Sequence, residues 1–132
     1  MTRPTRILIL AADQSNRSAM RQALEQYRFA VETASNTTTA YQHLLDAKID
    51  LVVVDVSGPM LELGDFVKRI RATPQLTGIL ILIIAEWGTG GATLALSQGA
   101  DAYEPKPLDS NRLITSIERL LRKEAAAAGQ TP

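Results

Sequence analysis

The chain has no cysteine, one histidine and one tryptophan in 132 residues. Without cysteine there is no disulfide and no thiolate metal site, and the lone His43 cannot assemble an imidazole cluster. Excess charge of one sign is missing too. Fourteen basic and fourteen acidic side chains cancel, and the sequence pI is about 6.6. The chain therefore lacks the positive field that nucleic-acid or anionic-membrane binding draws on. Long apolar runs are absent: the stretches at 7–12 and 79–85 fall well short of the roughly 20 residues that a membrane helix needs. No charged-then-apolar signal segment opens the chain. These absences point to a cytoplasmic protein that meets neither membrane nor DNA directly.

What is present is enough apolar material for one core, at 45% hydrophobic composition. Short apolar runs alternate with segments of helical period, the pattern of a parallel sheet covered by helices. The strands are expected at Ile7 to Ala11, Ala30 to Thr33, Leu51 to Asp55, Leu80 to Ile84 and Ala102 to Glu104. The first, third and fourth are apolar at nearly every position, which predicts central strands buried on both faces. The second mixes in polar residues and the fifth runs into Pro105, which lacks a ladder donor, so both suit the edges.

Helical stripes are predicted through Met20, Ala23, Leu24 and Tyr27; through Ala40, Tyr41, Leu44 and Leu45; through Phe66, Val67 and Ile70; and from Leu113 to Leu121. Asp109 or Ser110 can cap the last helix, and Gly99 marks the end of the fourth. That fourth helix, within Thr89 to Gln98, is weakened by Gly88, Gly90 and Gly91. Residues 1–124 then form one domain, and 125–132 a tail or the start of a linker, where "EAAAAGQTP" can prolong the last helix by a turn or two before fraying.

Open parallel sheets place ligands outside the carboxyl ends of their strands. There "VVVDVSGP" puts Asp55 after the third strand, with a Gly-Pro turn behind it, and "DAYEPKPL" puts Lys106 after the fifth. Taken singly, such an aspartate is most often a turn or cap residue and such a lysine a solvated charge. Together with "RILILAADQSNR" and "ILILIIAEW", in that order and at those separations, they resemble the response-regulator receiver domain over about Arg6 to Lys123.

The resemblance implies an α/β, flavodoxin-like, doubly wound sheet of five parallel strands, order 2-1-3-4-5, with helices on both faces. It implies that Asp55 matches the aspartate that takes a phosphoryl group from a histidine kinase, and that Lys106 matches the lysine that grips it. Tyr103 matches the aromatic switch, the carbonyl of Ser57 a metal ligand, and Lys106-Pro107 a cis peptide. In the family an acidic pair after the first strand holds Mg²⁺, and a Ser or Thr ends the fourth strand.

Here the chain departs from the pattern. Ala11 and Ala12 stand in place of the acidic pair, Ile84 in place of the hydroxyl residue. Mg²⁺ needs oxygen ligands, and Asp13 is one residue late to supply one except through water. At an effective dielectric near 20, a carboxylate about 4 Å from a cation gains on the order of 4 kcal/mol before desolvation. Losing two leaves weak Mg²⁺ binding at most, and otherwise no cofactor.

The expected function is thus a degenerate receiver, a protein-interaction module rather than an enzyme, with Asp55 and Lys106 paired. Its partners would be a kinase, a phosphotransfer protein or an output protein, or a second copy, met through the fourth helix, fifth strand and fifth helix. The alternative is a receiver still phosphorylated on Asp55. A third class, a flavin or cobalamin binder, is disfavoured by the placement of His43 and by the lack of a phosphate cradle. Trp87, in the loop "EWGTGG", either anchors a partner or folds over the space the acids leave.

Overall fold

A computed structural model describes residues 3–58 and 62–129. Pro59 and residues 130–132, where the Gly-Pro turn and the expected fraying fall, lie outside them. Five strands, β1 (Arg6–Ala11), β2 (Ala30–Ala34), β3 (Leu51–Asp55), β4 (Leu80–Ala85) and β5 (Ala102–Pro105), alternate with five helices. These are α1 (Gln14–Gln26), α2 (Thr37–Asp46), α3 (Leu63–Ala72), α4 (Gly91–Ser97) and α5 (Ser110–Gly129). The strands form one parallel sheet in the order β2-β1-β3-β4-β5.

Alternation along the strands divides the core in two. Leu8, Leu10, Val52, Val54, Ile81 and Ile83 face α2, α3 and α4, packing on Leu44, Phe66, Val67 and Ile70. Ile7, Ile9, Val53, Leu82 and Ile84 face α1 and α5, packing on Leu24, Leu113 and Ile117. All of β1 beyond Arg6, and all of β3 and β4, are buried, as expected of central parallel strands. Arg71 ties the sheet's lower edge to the α4–β5 turn: its guanidinium donates to the carbonyls of Ile79 (2.7 Å) and Gly99 (2.8 Å) and to the Asp101 carboxylate (2.8 Å).

Capping follows the sequence. Asp109, not Ser110, caps α5 by accepting the Arg112 N–H at 2.8 Å. Gly99 follows α4 at φ +110°. Two expected stripe residues do not join the core. Tyr27 lies just past α1, 46% exposed, its hydroxyl donating to Glu118 at 2.6 Å. Leu45 is 42% exposed, because Ala40 and Leu44 already fill the face of α2 turned to the sheet. Among the described residues no helix is long and apolar enough to cross a membrane.

Candidate functional site

The register of the sheet builds the site. Ala11 pairs with Asp55, Asp55 with Ile84, and Ile84 with Glu104. Residues in register on neighbouring parallel strands point to the same face, so these four stand in one row, on the side of α1 and α5. Asp55 is the one charged member of the row that is buried, 4% exposed, between the Ala11 methyl and the Ile84 side chain.

Its carboxylate is held by two donors. Lys106 Nζ lies 2.7 Å from Oδ1, and the side-chain amide of Asn16 donates to Oδ2 at 3.3 Å. Lys106 is brought there by its own backbone, whose N–H donates to the Ala85 carbonyl and extends the β4–β5 ladder by one step. The Lys106-Pro107 peptide is cis. Asn16 is brought by the first turn of α1, which starts directly above the end of β1. Asp13 fixes that start as N-cap, accepting the Asn16 backbone N–H at 2.8 Å. This is an ordinary capping role for an aspartate.

A second cation stands nearby. The Arg17 guanidinium donates to the Ala11 carbonyl at 2.8 Å and to the Ala12 carbonyl at 3.3 Å, closing over the end of β1. Ala12 and Ser57 are exposed. Beside Asp55 a cavity of about 290 Å³ opens between α1 and the β5–α5 loop, lined by Met20, Ile84 and Leu108 as well as by Asn16 and Lys106. Among the described residues no three His, Asp or Glu side chains are grouped as a metal site needs.

Tyr103 is on the other face of the sheet. Its hydroxyl donates to the Ala85 carbonyl (3.0 Å) and accepts the Trp87 N–H (3.2 Å). The Trp87 ring stacks on it, centroids 5.8 Å apart and 17° between planes. Trp87 thus does not fold over the space beside Asp55, since it covers the tyrosine instead. His43 is likewise far from the strand ends, with Nδ1 2.8 Å from Glu32 on β2. Asn16 and Arg17 were not evident as site residues in the sequence. The available signal was positional: the first turn of the helix after β1 lies over the sheet's carboxyl edge.

A model of the response regulator receiver domain family matches residues 7–118. The chain belongs to that family. Receiver domains are signalling domains of two-component response regulators. Among relatives, the response regulator MprA of Mycobacterium sp. (strain KMS) is 29% identical over 126 residues, 96% of this chain and 54% of the relative. The transcriptional regulatory protein CpxR of Escherichia coli (strain K12) is 33% identical, over 89% of this chain and 50% of its own length. The chain spans about half the length of the curated relatives it matches. The chemotaxis response regulator CheY4 of Vibrio cholerae has the same fold, with a TM-score of 0.81 at 23% identity over 89% of this chain and 98% of that one. A CheY-like receiver domain protein from Methanospirillum hungatei superposes at 0.83, with 21% identity over 95% and 99% of the two chains.

Proposed function

We propose that this receiver domain acts in two-component signalling as a protein-interaction module, with Asp55 held in a standing pair by Lys106 and not cycled through metal-dependent phosphorylation. The observation that carries this reading is the row Ala11, Asp55, Ile84: a methyl and a sec-butyl group flank the one carboxylate. Mg²⁺ is a hard ion that takes oxygen ligands. The donors around Asp55 are an ammonium and an amide N–H, which repel a dication, and Asp13 is engaged at its helix start. The residues present therefore do not suit Mg²⁺.

The contact surface on this reading is α4, β5 and α5, as the family resemblance implies, with Leu94 and Leu96 of α4 exposed there, 46% and 53%. The partner is a kinase, a phosphotransfer protein or an output protein, in the cytoplasm, or a second copy of the chain.

The second reading is a phosphoacceptor, favoured by the Asp55–Lys106 geometry itself, which places a cation where a transferred phosphoryl group needs neutralising. At most this would be self-phosphorylation at Asp55. Intact mass after incubation with a small-molecule phosphodonor, with and without Mg²⁺ and beside Asp55→Ala, separates the two. No gain of a phosphoryl group is expected; one gain requiring both Asp55 and Mg²⁺ establishes the second reading.

A further inference from the structure

At the opposite end of the sheet from Asp55, a cavity of about 640 Å³ opens where the segments entering β1 and β2 meet the end of α5. Arg3, Arg28 and Arg122 stand at it, with Tyr27 and Phe29, and Glu118 is its one acid. Its size falls in the range of small-molecule sites. The two rings lie side by side, centroids 5.7 Å apart and tilted by 33°. Tyr27 is held by its hydroxyl on Glu118, which also occupies that acid. Arg3 is spent on Asp50, at 2.8 and 3.1 Å. Arg28 and Arg122 have no acid within 4 Å among the described residues.

Arg28 is the unusual residue. Its φ is +72°, the only non-glycine value above zero among the described residues. It sits just past the end of α1, where its N–H donates to the Glu25 carbonyl and that of Phe29 to the Leu24 carbonyl. This closure normally takes glycine, because a Cβ in the left-handed region is strained. An arginine kept at a glycine position, projecting beside aromatic rings and a second unpaired arginine, is an observed strain from which a function can be argued.

We infer that this cavity binds a nucleotide. The base would stack on the exposed face of Tyr27, and Arg28 and Arg122 would fork onto the phosphates. Arginine is suited to that planar, bidentate contact, and a ring is suited to stacking. An acidic peptide would use the arginines but leave the rings without a planar partner.

The test is an amide NMR titration of the whole chain with ADP, with adenosine and with inorganic pyrophosphate, repeated on Arg28→Gly and Arg122→Gln. ADP should shift the amides of Arg28, Phe29 and Arg122, and bind at least tenfold more tightly than adenosine or pyrophosphate. Each substitution should weaken ADP about tenfold, the loss of one charge-assisted contact. Arg28→Gly should leave Tm unchanged or raise it, since glycine relieves the strain. The inference is overturned by ADP shifts confined to other regions, by pyrophosphate binding as tightly as ADP, or by affinity unchanged in Arg28→Gly. A lower Tm for Arg28→Gly overturns it too, because the arginine would then be kept for the fold.

Discussion

At the scale of single residues, Asp55 and Lys106 are unequal partners. The Asp55 side chain is 5% exposed and that of Lys106 18%. Lys106→Ala strands a carboxylate that has only the Asn16 amide left, whereas Asp55→Ala leaves an ammonium on a flexible stem that can turn to water. Breaking a buried pair from the side that cannot reach solvent costs about 3–5 kcal/mol. Urea denaturation should therefore place Lys106→Ala below Asp55→Ala in stability, and equal losses would contradict a standing pair. Restoring the acids is the complementary change. In the double variant Ala11→Asp, Ala12→Asp, the residue in register with Asp55 becomes a second carboxylate at a position that is now fully buried. Tm should fall in a chelator and recover with millimolar Mg²⁺, by the linkage of binding to folding, while the parent chain responds to neither. Tyr27 supplies a pH signature: the Glu118 carboxylate accepting its hydrogen bond holds the phenol above its usual pKa near 10. The folded chain thus keeps the proton more tightly than the unfolded one. The stabilisation is present below pH 10 and lost as pH rises past it, and absorbance titration should show a late phase that Tyr27→Phe removes.

At the scale of elements, what could be read from the sequence was what depends on period and composition. Unbroken Ile, Leu and Val runs gave β1, β3 and β4 because a parallel strand buried on both faces has no polar position to confuse the reading. Periodicity alone cannot tell which end of a stripe meets a neighbour, so Tyr27 and Leu45 were assigned to a core they do not reach. The site was legible where a side chain ends a strand, as for Asp55, Ile84 and Lys106. It was not legible in α1, where Asn16 and Arg17 are polar residues in a first turn like any other until the helix is placed over the sheet. The loop into α4 shows a constraint of the same kind. A Cβ on Gly91 would lie 2.7 Å from the Tyr103 hydroxyl and 3.1 Å from the Trp87 Cβ, so α4 begins on a glycine because Tyr103 lies inward against it. Gly91→Ala should push the tyrosine out and unstack the tryptophan, at a cost of about 1–3 kcal/mol for overpacking. Tryptophan emission should move to longer wavelength; an unchanged spectrum and stability would show that Tyr103 is free to move without loss.

At the scale of the whole molecule, the ends of β4 and β5 link the Asp55 face of the sheet to the Tyr103 face. Asp55 reaches β4 by its pairing with Ile84, and the next residue of β4, Ala85, offers its carbonyl to both Lys106 and Tyr103. A switch needs a ligand that binds one arrangement better than the other. Here the inward arrangement already has the Lys106 pair on one face and the tyrosine's two hydrogen bonds and stacked tryptophan on the other, before any ligand arrives. Moving such an equilibrium from 1:99 to 99:1 takes about 5.5 kcal/mol of differential affinity. A phosphoryl group would have to supply that beside Ile84, which offers it no hydrogen bond. Beryllofluoride with Mg²⁺, which mimics a phosphoryl group on a carboxylate, should leave the amide NMR spectrum of the parent chain unchanged. In the triple variant Ala11→Asp, Ala12→Asp, Ile84→Thr it should shift Asp55 and Tyr103 together. Joint shifts in the parent chain would mean that the coupling through Ala85 still works without the acids, and that the receiver retains a switch that the pair only biases.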